Sequence, residues 1–287
     1  MDLRTIELKI ARGENLPVLP QAAHAALRAA EDSGSSTREI ERLIEQDPAL
    51  TAKVLRVVNS PIYAISNVTS VGRALAILGL NRTRSVILAV SFQNLTAERY
   101  ESQGFNMLAY WRHSLAVANA AKIIAAIVAP FLSEEIYCMG MLHDIGLIVM
   151  AKFCPGELDA VIRLAQCARV PLFQAEPKII PFTHAQLGGI LAEKWCLGPK
   201  VKEAIEGHHN AESPQKGSPA AILLLADVLA HQAGFTNQAP EVEYELTEQM
   251  LDAVNLSAEQ TTVIKDVMCA EVEKIERVLA VAPRRAA

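Results

Sequence analysis

Seven residues scattered between positions 113 and 227 of the chain could do chemistry together: His113, His143, Asp144, His184, His208, His209 and Asp227. Neutral imidazoles and carboxylates are the usual protein ligands for zinc, iron and manganese, and a metal site needs several of them converging from separate elements. Five of the chain's seven histidines belong to the set. Each member stands among apolar residues at helical spacing, so the chemistry expected is that of a buried divalent metal.

The elements that must position them can be read from spacing. His113 is followed by Ala116, Val117, Ala120 and Ile124, an inward stripe of one helix. His143 closes a helix that Ser133 is expected to cap and Glu134 and Glu135 begin, with Ile136, Met139 and Gly140 on the same stripe. Asp144 then falls at the helix end, where Gly146 permits a turn or close packing. His184 shares a stripe with Leu187, Leu191 and Trp195. His208 continues the face of Val201, Ala204 and Ile205, while His209 lies about 100 degrees away, so both can reach one ligand only where the helix terminates. Gly207 and Asn210 fit that termination. Asp227 stands in the apolar run from Ile222 to Leu229, where a bare carboxylate needs a cation, a hydrogen-bond donor or a proton.

Taken singly, each has a plainer explanation. An inward histidine on an Ala/Leu helix is more often a hydrogen-bonded core residue than a ligand, and Asp227 could bind His231 one turn on or cap a neighbouring helix. Seven such coincidences point instead to a metal site, formed or vestigial. His24 and His231 fall outside the set, with His231 placed to brace a ligand.

The rest of the chain reads as helix almost throughout, an all-α protein. Leu16 to Pro20 fits a helix entrance, leading into an Ala-rich helix through about Glu31 and a turn at 32–36. Ser36 or Thr37 caps the next helix, and Asp47 and Pro48 suit the cap and first position of another, with Leu50, Val54, Leu55 and Val58 inward. A helix from Val71 should stop at Gly79, and one more covers about Arg82 to Leu95. The polar stretch 96–106 separates a helical N-terminal lobe, 1–100, from a helical core carrying the candidate site, 101–235; a helical extension, 236–287, follows. Its last helix begins at Ser257 or Ala258 and serves to cover the core or to pair two copies.

Composition bounds the function classes. The chain is 51% hydrophobic, yet charges interrupt every apolar run, so no membrane span is expected. The first ten residues lack the features of a signal peptide, which points to a cytoplasmic protein. Five cysteines without a CxxC pair indicate buried free thiols rather than disulfides or a zinc ribbon. A net charge of -5 argues against wholesale nucleic-acid binding. Lys53, Arg56, Arg73, Arg82, Arg84 and Arg99 could form a basic face, although a solvated surface is the simpler reading.

The pattern of His113, His143-Asp144-Ile145-Gly146 and a downstream aspartate resembles the HD superfamily of metal-dependent phosphohydrolases. Leu16 to Pro20, Asp47 to Leu50, Asn59 to Tyr63, Ala76 to Leu80, Trp111 to Ser114, His184-Ala185 with Gly188 and Trp195, and His208-His209 narrow the resemblance to the HDOD family, the HD-related output domain of bacterial signalling proteins, over about residues 10–235. That resemblance implies an N-terminal helical lobe packed on an HD-like core, with a role in signal transduction through a protein partner or a nucleotide. Its ligand order is also similar to that of the HD-GYP phosphodiesterases, but the residues after His209 lack the Gly-Tyr-Pro signature, so cyclic di-GMP hydrolysis is not implied. In the HD pattern Asp144 bridges two cations of iron, manganese or zinc. His113, His143 and Asp227 complete one ion; His184, His208 and His209 complete the other. Lys122 and Arg112 become candidates for phosphate contact. Two readings follow: a regulatory module with a structural or silent metal site, and an active phosphohydrolase or phosphodiesterase acting on a nucleotide.

Overall fold

Short polar side chains and prolines set where the helices begin. The computed structural model describes residues 2–12, 21–31, 36–59, 67–95, 100–195, 197–210, 215–239 and 242–278, and all regular structure among these is helical. Helix α1 covers Leu3–Arg12 and α2 covers Gln21–Glu31. Ser36, rather than Thr37, caps α3 (Thr37–Glu45), accepting from the Glu39 amide at 3.3 Å. Asp47 accepts from the Leu50 amide at 3.1 Å to open α4 (Pro48–Val58), with Pro48 in the first position where its missing N–H costs nothing.

The chain divides into two compact units that do not follow chain order. Residues 18–95 and 269–287 make the smaller, and 1–17 with 96–268 the larger. In the smaller unit α2 packs on α3 and on α5 (Val71–Leu95), and α4 packs on α5. Ile40, Ile44, Leu50, Val54 and Val58 are buried there, whereas Leu55 is only half-buried. Helix α5 is two helices joined at Gly79, whose φ of 70° and ψ of 167° end the first, as its position after Leu78 led us to expect. The motifs at Leu16 to Pro20 and at Ser60 to Tyr63 lie outside the described residues, as does the 32–35 turn.

The larger unit is built on α6 (Met107–Val128), which packs against α7 (Ser133–Leu142) and α13 (Pro219–Gln232). Between them in sequence run α8 (Ile145–Phe153), α9 (Pro155–Ala168), the short α10 (Leu172–Ala175), α11 (His184–Lys194) and α12 (Pro199–Gly207). Helix α8 packs on both α9 and α11, and α11 on α12. Helices α14 (Glu248–Val254) and α15 (Ala258–Val278) follow; Ser257 and Gln260 cap the latter reciprocally, placing its start where the sequence reading did.

Several expectations change. Helix α1 belongs with the larger unit, against α11, and not with the first lobe. Residues 236–268 are part of that same unit rather than a separate extension. Ser133 is no cap: a 3-10 turn at Pro130–Leu132 runs directly into α7, so Ser133 is already helical. Cys138 and Cys154 are buried free thiols, but Cys167 is exposed. The stretch Glu135–Phe153 is long and apolar enough to cross a membrane by composition; 94% of it is buried inside the protein, and His143 and Asp144 break it in the middle.

Candidate metal centre

Each candidate ligand sits where a helix starts, stops or turns its apolar face inward. Helix α7 ends at Leu142 and α8 begins at Ile145, leaving His143 and Asp144 on the corner between them. The corner is pressed against α11 so closely that a methyl group on Gly146 would lie 1.8 Å from the His184 carbonyl oxygen. His184 is the first residue of α11, fixed by a capping box of Thr183 and Gln186. His208 and His209 occupy the turn after Gly207 ends α12, the termination their adjacency requires. His113 projects from the buried face of α6, and Asp227 from α13.

These residues converge. Asp144 Oδ1 lies 3.1 Å from His184 Nε2, 3.4 Å from His143 Nε2 and 3.5 Å from His208 Nε2. Its Oδ2 lies 3.6 Å from His113 Nε2. Asp227 Oδ1 is 3.1 Å from His113 Nε2, and its Oδ2 is 3.9 Å from His209 Nδ1. His209 Nε2 approaches His184 Nε2 at 3.0 Å. Three overlapping donor groups result: Asp144 with His184, His208 and His209; His113 and His143 with Asp144; and His113 and Asp227 with His231. All seven sequence candidates are therefore brought together, and all but His209 are essentially buried.

The outer nitrogen of each ring decides which nitrogen faces inward. His113 Nδ1 donates to the Phe235 carbonyl at 2.8 Å, His143 Nδ1 to the Gly140 carbonyl at 2.8 Å, and His208 Nδ1 to the Ile205 carbonyl at 2.5 Å. His184 Nδ1 donates to the Glu176 carboxylate at 2.6 Å. With Nδ1 carrying the proton, the inward Nε2 is the lone-pair nitrogen in each neutral imidazole, the tautomer a metal ligand needs.

Electrostatics separates the rings. Burial works against charge on His113, but the close Asp227 carboxylate, aided by Asp144 and the Phe235 carbonyl, outweighs it and holds His113 above the ordinary imidazole range. His184 is raised further, because Glu176 and Asp144 overcome its burial. Burial, reinforced by His208 and His113 and only partly offset by Asp144, pushes His143 down to about 4. His209 is likewise lowered, by burial and by His208 and His184. Burial opposes ionisation of both carboxylates, yet the surrounding imidazoles hold Asp144 and Asp227 well below the usual carboxylate range.

The donor set fits a divalent cation. Neither Asp144 Oδ1 nor Asp227 Oδ1 receives a well-directed hydrogen bond from the described residues, although both are buried among ring nitrogens. Pairs of Nε2 atoms meet at 3.2 Å between His113 and His143 and at 3.4 Å between His184 and His208. Where both rings of such a pair are neutral, the form in which each binds a metal, they present lone pairs to each other, an arrangement that a shared cation relieves.

Sequence reasoning missed four contributors. Glu176, fully buried in a 3-10 turn after α10, binds the ring and the backbone amide of His184. Phe173 stacks on His209 with ring centroids 4.2 Å apart. Asn237 donates to Asp144 Oδ2 at 2.9 Å. Tyr244 stacks on His231 at 3.7 Å, and His231 Nδ1 lies 3.0 Å from Asp227 Oδ1. None of these four had a periodic or motif signal, whereas His231, one helical turn after Asp227, did and stands where the spacing put it. Lys122 is not at the centre: it stands nine residues after His113, about 13.5 Å along the α6 axis by helical rise, and its ammonium lies over the Tyr137 ring.

The HDOD domain family model matches residues 16–211, more than half of the chain. This chain belongs to the HDOD family. Six of the seven converging residues fall inside the HDOD match, and Asp227 lies beyond it. An uncharacterized protein of Treponema pallidum (strain Nichols) is 25% identical over 216 residues, aligned with 72% of this chain; the chain spans 40% of the length of that relative. Crystal structures with the same helical HDOD fold include an HDOD domain protein from Geobacter sulfurreducens, at a TM-score of 0.76 and 23% identity, covering 96% of this chain and 99% of that one. A candidate phosphohydrolase from Shewanella amazonensis SB2B superposes at 0.73 with 20% identity, covering 96% and 98%. At these identities the likeness is one of fold.

Proposed function

We propose that this chain is a bacterial, cytoplasmic HDOD regulatory protein that binds a signalling protein or a nucleotide, and that its core holds divalent cations at the Asp144 centre. The observation that carries the reading is the set of three imidazoles, His143, His184 and His208, turning Nε2 toward an Asp144 oxygen that no donor satisfies among the described residues. Asp144 would be shared by two ions, with His113, His143 and Asp227 holding one and His184, His208 and His209 the other. Iron, manganese and zinc all suit such imidazole and carboxylate donors. The signalling role rests on the character of the family.

The completeness of the donor set favours a second reading, hydrolysis of a phosphoester in a nucleotide. Cations bound there supply Lewis-acid stabilisation of a phosphoryl oxygen and acidify water. The chain's own residues do the positioning. Glu176 holds the proton on His184 Nδ1, and backbone carbonyls do the same for His113, His143 and His208. His209, with 15% of its side chain exposed while the other six are nearly sealed, marks the side open to a substrate.

Elemental analysis of the full chain and of Asp144→Ala tests both readings. Near two equivalents of metal in the wild type, lost in the variant, is expected. No metal in the wild type, even after reconstitution, overturns the metal site. A phosphoester screen then separates the readings: turnover that Asp144→Ala abolishes establishes the enzyme, while turnover that survives in the variant refutes the site assignment.

A further inference from the structure

Beyond the residues that face the centre, one buried amide arrives from outside the family-matched span. Asn237 lies in the loop after α13, 26 residues past the last position matched by the HDOD model, and is 7% exposed. Its Nδ2 donates to Asp144 Oδ2 at 2.9 Å, and its Oδ1 accepts from the Gln238 backbone amide at 2.7 Å. The second contact fixes which way the amide faces: the oxygen must take the Gln238 N–H, so the NH2 group must face Asp144.

The loop is fastened on both sides. Gln238 Oε1 accepts from the Asn106 backbone amide at 2.6 Å, its Nε2 donates to the Asn106 carbonyl at 3.2 Å, and its own carbonyl accepts from Gln166 Nε2 at 3.0 Å. Asn106 caps α6, the helix that carries His113, and the neighbouring Phe235 carbonyl holds His113 Nδ1. One short segment therefore registers the His113 helix and the Asp144 carboxylate together. By engaging Oδ2, Asn237 leaves Oδ1 as the oxygen turned toward His143, His184 and His208.

We propose that Asn237 is a positioning residue of the metal centre: it orients Asp144 for bridging, and the segment 235–238 thereby completes a site whose other ligands, Asp227 apart, lie within the HDOD-matched residues. The inference rests on the reading of the centre as a divalent metal site. Donors that orient a ligand in this way typically change metal affinity about 10- to 100-fold.

The test uses the full chain, stripped of metal and titrated with Co(II) against a competing chelator, with the visible absorption of the bound ion recorded. Asn237→Leu, similar in size but without the donor, is compared with Asn237→Ser, whose hydroxyl keeps the loop polar but is too short to reach Asp144. The expected result is Co(II) binding weakened about 10- to 100-fold in both variants, with an altered absorption band, while the melting temperature of the metal-free protein stays close to wild type. If one variant fails to fold, the other carries the comparison. Unchanged affinity and spectrum in a folded variant overturn this inference alone. Weaker binding that merely tracks lost stability, with an unchanged band, also overturns it. No Co(II) binding by the wild type removes the metal reading and this inference together.

Discussion

The two compact units use polar side chains in opposite ways. In the smaller, polar groups spend their hydrogen bonds on nearby backbone. Asn59 donates to the Leu55 and Val68 carbonyls and accepts from the Val68 amide, and Ser36 and Asp47 cap the helices they precede. In the larger, buried polar groups from α6, the α7–α8 corner, α11, the end of α12 and α13 face one another across the core, and two carboxylate oxygens find no hydrogen-bond donor among the described residues. Local pairing shapes a fold. Convergence of buried, like-natured donors from distant elements has no such structural use, since apolar residues of the same volume would fill the space at lower cost. The contrast sets the larger unit apart as the one whose buried polar cluster could hold a metal ion.

Substitutions in the two units should therefore separate stability from metal binding. The largest effect is expected from Gly146→Ala, because the added methyl meets the His184 backbone rather than a movable side chain. A loss of about 3 kcal/mol or more in denaturant unfolding is expected, with metal content falling alongside. Glu176→Gln keeps an acceptor for His184 Nδ1 but removes the charge; a roughly 10-fold weaker metal affinity by chelator competition is expected, with little change in melting temperature. Asn59→Ala reverses that pattern. Loss of its three hydrogen bonds should cost about 2 kcal/mol in unfolding while metal stoichiometry is preserved. Metal loss in Asn59→Ala would break the contrast between the units.

Asp159 sharpens the same comparison from within the larger unit. Its carboxylate receives the Ser102 hydroxyl and the Gln103 and Gly104 amides, and these bonds hold its pKa below the ordinary carboxylate value despite burial. A depressed folded-state value means the stabilisation is present above the unfolded carboxylate value and is lost as pH falls through the folded one. Asp159→Ala should cost about 1 kcal/mol at neutral pH, discounted for partial exposure, and the difference from wild type should shrink in acid-unfolding curves as the pH falls through the lowered folded-state value. Metal affinity should not move.

Much of this was legible in the chain itself. Helical period told which way His113, His184 and Asp227 point; Gly79 and the turn after Gly207 followed from backbone chemistry; and the caps at Ser36, Asp47 and Ser257 follow from short polar side chains beside orphan amides. All of these are decided within a few residues of sequence. Ser133 failed as a cap because the turn before it was itself helical, a choice made by the preceding Pro130 segment. The contacts that complete the centre span far greater separations: eight residues from Glu176 to His184, 93 from Asn237 to Asp144, 122 from His113 to the Phe235 carbonyl. Local periodicity carries no information about such partners, because which acceptor meets Nδ1, and so which nitrogen is left to face the centre, depends on how the helices pack. The sequence alone determined that buried imidazoles and carboxylates point inward from helices; tertiary packing decided that they meet, which atoms they present, and which residues hold them there.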